Sequence, residues 1–172
     1  DADLVLATDP DADRLGVYVK DSATGEYIAL TGNMSGCLIG DYEISQIKET
    51  KGLPEDGALI KTIVSSDMAN AIAKYYGIQL VEVLTGFKFI GQQILGFENS
   101  GKGTYLFGFE ESYGCLVGTH ARDKDAVVAT MKLCEAAAYY KTKNMTLWDA
   151  MIAMYDRYGY YKDGVKAITL AG

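Results

Sequence analysis

The hydrophobic pattern along the chain switches repeatedly between the strand period and the helix period. Leu4-Val5-Leu6 is a short apolar run, long enough for a buried strand, that empties into a loop with aspartate at positions 9, 11 and 13. Residues 15–20 alternate and return from that loop as a second strand, and residues 21–25 are a turn by composition. Tyr27 to Leu30 predicts a brief strand. Thr31-Gly32-Asn33 then offers capping chemistry, and Met34, Leu38, Ile39, Tyr42 and Ile47 recur at helical spacing until Lys51-Gly52. The β-branched run from Ala58 to Val64 predicts a continuous buried strand. Ser65-Ser66-Asp67 predicts the cap and acidic first turn of a helix that Gly77 stops. Ile78 to Leu84 predicts a strand, and Thr85-Gly86 opens a helix carrying Phe87, Ile90, Ile94 and Leu95. Thr104 to Phe109 and Cys115 to Val117 predict two more strands. Asp125 caps a helix through Tyr140, and Thr146 another through about Tyr158.

Strands alternating with helices predict an α/β fold, a layered domain with a mixed, largely parallel sheet flanked by helices. A chain of 172 residues has room for one domain or slightly more. The start, without an initiator Met and almost at once in a strand, predicts an excised piece whose first strands, residues 1–24, close a preceding domain. Residues 25–158 then form an α/β domain, and residues 159–172 a linker toward a further one.

Composition narrows the function classes. Net charge is −7 and no basic stripe is visible, which excludes an ordinary nucleic-acid surface. No apolar run approaches a membrane span, and no signal peptide is present. Cys37, Cys115 and Cys134 are scattered and odd in number, which suits buried, reduced thiols in a cytoplasmic protein.

Asp9, Asp11 and Asp13 carry the sharpest chemistry. Three carboxylates this close repel one another unless a cation lies between them, and their hard oxygens suit Mg²⁺. Arg14 adds a fork of donors that suits phosphate. A solvated acidic turn is the plain alternative. An EF-hand fails because Arg14 and Lys20 stand where Gly and Glu are required. A haloacid-dehalogenase-type phosphatase, with Asp9 as nucleophile, also places an Asp-x-Asp pair after an apolar strand; it usually has Thr or Val where this chain has Asp13.

Three further stretches are candidates. Gly108-Phe109-Glu110-Glu111-Ser112-Tyr113-Gly114 leaves a strand as a flexible loop, and Glu and Ser together suit adjacent sugar hydroxyls. Thr85, Gly86 and Lys88 put glycine and lysine at a helix N-terminus, a natural anion site or an ordinary helix start. Lys61 stands in a β-branched strand, where a lysine usually snorkels at a sheet edge. His120 is the sole histidine, so no His-based triad can be assembled. Arg122 and Lys124 meet a phosphate or merely bracket the cap at Asp125. Residues 96–102 match the first seven places of a Walker A loop, but Gly103 stands where Ser or Thr must hold Mg²⁺.

Thr8-Asp9-Pro10-Asp11-Ala12-Asp13-Arg14-Leu15-Gly16 resembles the metal loop of the α-D-phosphohexomutases, the phosphoglucomutase/phosphomannomutase family. Residues 108–114 resemble its sugar-recognition loop, usually Gly-Glu-x-Ser-Gly-His, with Glu110 and Ser112 on the hydroxyl-binding positions. Phe109, Tyr113 and Gly114 depart from that pattern. Thr85, Gly86 and Lys88 match a segment lining the family's cleft, and Lys61 a cleft lysine that helps proton transfer.

The resemblance implies Mg²⁺ on Asp9, Asp11 and Asp13, catalytic roles for Arg14 and Lys61, and phosphoryl transfer through a phosphoserine. Implied ligands are glucose 1-phosphate, glucose 6-phosphate and glucose 1,6-bisphosphate. The family's Ser-His-Asn-Pro nucleophile loop is not in this chain, and neither is its distal-phosphate loop. The first and fourth domains are thus expected as partners, and these residues alone are expected to be inactive. The phosphatase, and a non-catalytic sugar-phosphate or metal-binding module, are the alternatives.

Overall fold

The computed structural model of the chain describes residues 2–164. The described elements are β1 (Leu4–Thr8), β2 (Leu15–Lys20), β3 (Tyr27–Leu30), α1 (Gly32–Thr50), β4 (Gly57–Thr62), α2 (Met68–Tyr76), β5 (Gln79–Val83), α3 (Phe87–Ser100), β6 (Thr104–Glu110), β7 (Gly114–Val117), α4 (Ala126–Lys141) and α5 (Leu147–Tyr158). β1, β2 and β3 form an antiparallel sheet. The second sheet has the order β5-β4-β6-β7; its first three strands are parallel and β7 runs antiparallel to β6. This is the layered α/β architecture with a mixed, largely parallel sheet that the patterning predicts. β3 lies beyond the turn at 21–25, yet it pairs with β2.

The layers follow from strand alternation. Leu59 on β4 joins a large core with α1, α2, α4 and α5, while its neighbour Ile60 joins a smaller one under α3. Side chains alternate across a strand, so one continuous apolar run serves both faces. α1 lies close on β6: a Cβ added at Gly36 would fall 2.3 Å from the Phe109 ring.

Several expectations need correction. The strand predicted to Val64 ends at Thr62, because Ser65 N–H donates to the Thr62 carbonyl and turns the chain. Ile63 and Val64 are therefore 56% and 53% exposed, despite their β-branched character. Asp67 does not cap α2 with its side chain; Ser66 Oγ accepts from Met68 N–H instead. Leu95 is exposed rather than core. Cys134 is exposed, whereas Cys37 and Cys115 are buried as expected. The caps at Thr31, Asp125 and Thr146 form as predicted. Of the linker expected over 159–172, residues 165–172 lie outside the described residues.

Candidate active site

The acidic loop joins β1 to β2 and is closed on itself. Asp9 N–H donates to the Arg14 carbonyl, and Asp9 Oδ1 accepts from the backbone N–H of Asp13 and Arg14. Arg14 Nε donates to Asp9 Oδ2 at 2.8 Å. Burial raises the Asp9 pKa, but these donors outweigh it and hold the carboxyl below its usual range. Asp9 is thus ionised with both oxygens engaged, which disfavours it as a free phosphatase nucleophile. Ala12 turns the loop with a φ of 55°, a left-handed conformation that non-glycine residues rarely take.

Expected as a flexible loop, residues 108–114 are mostly strand. Glu110 is the last residue of β6 and Gly114 the first of β7, and the two pair across a three-residue hairpin. Tyr113 closes the hairpin with a φ of 69°, the left-handed position that such turns require. Ser112 Oγ donates to Glu110 Oε1 at 2.8 Å, and Thr62 Oγ1 donates to Glu111 Oε2 at 3.0 Å. Gly32, at the start of α1, permits this approach: a Cβ there would fall 2.0 Å from the Glu111 carbonyl oxygen.

Backbone bonds join the two loops. Leu15 N–H donates to the Tyr113 carbonyl, and Ala126 N–H, at the start of α4, donates to the Ala12 carbonyl. An open depression of about 410 Å³ lies beside the acidic loop, lined by Ala7, Thr8, Asp9, Arg14, Gly16 and Tyr113.

Lys124 lies at the junction, and sequence reasoning left its role open. Its Nζ is 3.1 Å from Asp13 Oδ2, 3.9 Å from Glu110 Oε1 and 6.0 Å from the Phe87 ring centroid. It therefore touches the acidic loop, the hairpin and the first residue of α3 at once. Burial lowers its pKa, but the Asp13 hydrogen bond and the charges of Asp123 and Glu110 outweigh that and raise it. Its spacing before the Asp125 cap is the only sequence signal for it. Arg122, by contrast, turns away to a two-pronged contact with Glu98.

Thr85 and Lys88 are exposed beside Gly86, the N-cap of α3, which makes no side-chain cap bond. Lys88 Nζ lies 5.0 Å over the Phe89 ring. Lys61 is not at a sheet edge: β4 is flanked by β5 and β6, and the side chain is 0% exposed. Its Nζ meets the Ser65 carbonyl, Asp67 Oδ1 and Glu82 Oε1 at 3.0–3.1 Å. None of these belongs to the acidic loop or the hairpin.

The carboxylates can be tested against Mg²⁺. Asp13 Oδ1 is buried with no hydrogen-bond partner among the described residues, while Asp11 is exposed at the loop tip. Hard oxygens and one unpartnered buried acceptor suit this ion. No three such side chains among the described residues converge on one point; Asp9 is turned onto Arg14 and Asp13 onto Lys124. The donor set fits in chemistry, and Arg14 and Lys124 now supply the positive charge.

Comparison with known proteins identifies the family of the chain. The sequence model of phosphoglucomutase/phosphomannomutase α/β/α domain III matches residues 31–158. A phosphoglucomutase of Staphylococcus epidermidis is 38% identical over 172 residues, covering 100% of this chain and 30% of its own length. The open form of parafusin, a phosphoglucomutase from Paramecium, superposes with a TM-score of 0.70 at 25% identity, over 92% of this chain and 25% of its own. The Aspergillus fumigatus N-acetylphosphoglucosamine mutase, solved with GlcNAc-6P and magnesium, shares the fold at a TM-score of 0.60 and 16% identity, over 87% of this chain and 34% of its own. The chain spans 30% of the length of the curated relatives it matches. No helix among the described residues is long and apolar enough to cross a membrane. With a family match over most of its length, the chain belongs to the phosphoglucomutase/phosphomannomutase family.

Proposed function

We propose that this chain is part of a phosphohexomutase that interconverts the 1-phosphate and 6-phosphate of a sugar, with glucose preferred, through a phosphoserine outside these residues. Residues 1–24 close a second domain, residues 25–158 form the third, and residues 159–172 lead toward a fourth. Lys124 carries the reading: one ammonium lies against Asp13 of the acidic loop and Glu110 of the hairpin, so both loops face one cleft.

Asp9, Asp11 and Asp13 would hold Mg²⁺, which supplies charge neutralisation to the oxygens of a moving phosphoryl group. Arg14, anchored on Asp9, presents its remaining guanidinium donors to phosphate oxygens. Glu110 accepts from a sugar hydroxyl and Ser112 donates or accepts, the pairing that adjacent hydroxyls need. Thr85, Gly86 and Lys88 receive the phosphate farther from the reacting bond, at the start of α3. Lys124 keeps both loops in register and balances their charge. The ligands are glucose 1-phosphate, glucose 6-phosphate and the 1,6-bisphosphate, and residues 1–172 alone are inactive, because the phosphoserine and the distal-phosphate loop lie elsewhere. A cytoplasmic enzyme fits these substrates.

The test is Asp11→Asn in the intact enzyme. Conversion of glucose 1-phosphate to glucose 6-phosphate should fall on the order of a hundredfold, with the circular dichroism spectrum unchanged. Near-normal turnover would overturn the metal assignment. Acid-stable label on Asp9 after incubation with a phosphate donor would move the function to a phosphatase.

A further inference from the structure

Away from the loops, four helices meet around a cavity of about 480 Å³. It lies along the C-terminal half of α1, from Asp41 to Glu49, whereas the hairpin rests on Gly32. At 1.5 Å per residue, Lys48 lies roughly 24 Å along the helix from Gly32. The opposite walls are two tyrosine pairs, Tyr75–Tyr76 of α2 and Tyr139–Tyr140 of α4, each in edge-to-face contact at 5.1 and 5.3 Å.

Three cations line this cavity against two carboxylates, in a chain of net charge −7. Their partners are unusual. Lys48 Nζ lies 5.5 Å over the Tyr76 ring, and Lys143 Nζ 4.1 Å over the Tyr139 ring while donating to its hydroxyl. Neither ammonium is within salt-bridge distance of a carboxylate among the described residues, although Lys132 and Lys141 of α4, just before Lys143, both are. Arg157 stands between the Tyr75 and Tyr158 rings, 5.5 and 5.6 Å away, with its nearest carboxylate oxygen, on Asp41, at 3.7 Å. Aromatic faces thus position the charges without neutralising them. Two ammoniums left without a carboxylate partner, beside an arginine already paired with Asp41, attract a diffusible anion, and flat phenol walls admit a ring beside it.

We propose that this cavity is a second ligand site, separate from the cleft at the acidic loop, that takes a phosphomonoester borne on a ring. The phosphate meets Lys48, Lys143 and Arg157, and the ring lies against the tyrosine pairs. A nucleotide and a sugar phosphate share this chemistry, and binding distinguishes them. The site stands whether or not the mutase reading does.

The experiment is an amide NMR titration of the chain with four probes: adenosine 5′-monophosphate, glucose 6-phosphate, inorganic phosphate and adenosine. Saturable shifts at Lys48, Tyr76, Tyr139 and Lys143 are expected from one of the two ring phosphates, at least about tenfold tighter than from inorganic phosphate or adenosine. The tighter of the two names the source. The K48E/K143E double variant, altering two exposed residues, should weaken that binding by at least about tenfold and leave shifts at Asp9–Arg14 untouched. Equal binding of inorganic phosphate, shifts confined to residues 9–14 and 110–114, no saturation by about 10 mM, or unchanged affinity in the double variant would each overturn the proposal.

Discussion

One buried lysine and one half-buried lysine in this chain are held in opposite ways. Lys61 sits in the middle of the sheet, and its ammonium is satisfied by Ser65 and Asp67 of the turn that follows its own strand and by Glu82 of the adjacent one. Lys124 sits on a loop, and besides its neighbour Asp123 its partners come from β1–β2, from the β6–β7 hairpin and from α3. The first arrangement closes within one sheet and the turn beside it, with the ammonium fully covered. The second joins segments far apart in the chain, and it places positive charge on Oδ2 of Asp13, whose Oδ1 has no hydrogen-bond partner among the described residues. In the proposed function, the origin of its partners marks Lys124 as the lysine that serves the cleft and Lys61 as the one that serves the sheet.

The largest effect expected from this contrast is on turnover. Lys124→Met in the intact enzyme removes the charge between Asp13 and Glu110, and kcat should fall by about 10²–10³-fold. Stability should fall by less than about 2 kcal/mol, because the side chain is partly open to solvent and its partners can be hydrated. Turnover within a factor of about three of the parent would reduce Lys124 to a surface ion pair.

Lys61 should show the converse. Lys61→Ala leaves a void in a fully buried position and should cost about 2–4 kcal/mol in denaturant unfolding. Lys61→Met fills the same space, and its former partners Asp67 and Glu82 reach solvent, so the cost should stay within about 1.5 kcal/mol. Turnover of the folded Met variant should then change by less than about tenfold. A stable Met variant that had lost a hundredfold or more would place Lys61 in the chemistry, as the family resemblance implies, and the contrast would fail.

What could be read in the sequence follows the same division. Local signals were legible: the caps at Thr31, Asp125 and Thr146, the stop at Gly77, and the alternation in β2 depend on neighbours a few residues away. The candidate loops were legible because their residue types are concentrated in short stretches. Lys124 was not, because its meaning lies in Asp13 and Glu110, and no local period records them. Ile63 and Val64 misled for a related reason: their β-branched side chains favour a strand, but the Ser65–Thr62 hydrogen bond had already turned the chain. The hairpin was expected as a loose loop because two carboxylates and a serine read as polar. Its strand register comes from pairing with β7 and from the buried Phe107 and Phe109 beneath α1.

Another buried charge, Asp41, sharpens the comparison, with a smaller expected effect. Asp41 is 2% exposed and accepts from the hydroxyls of Tyr76 and Tyr158, with Arg157 beyond. Burial raises its pKa, and the Tyr158 hydrogen bond, the Arg157 charge and the Tyr76 hydrogen bond offset that only in part. For an acid with a raised folded-state pKa, the native state holds the proton at a pH where the unfolded chain has released it. Stability from this group is therefore greatest below the unfolded value, near 3.9, and declines as pH rises through the folded value. Asp41→Asn keeps an acceptor for the two phenols and removes the titration. The difference in unfolding free energy, parent minus variant, should fall as pH rises from about 4 and then level off. A difference that is flat, or that rises with pH, would mean that the tyrosines and Arg157 hold Asp41 ionised. Asp41 would then resemble Lys124, a charge stabilised by partners from distant segments, rather than a buried acid that the phenols of α2 and α5 only partly satisfy.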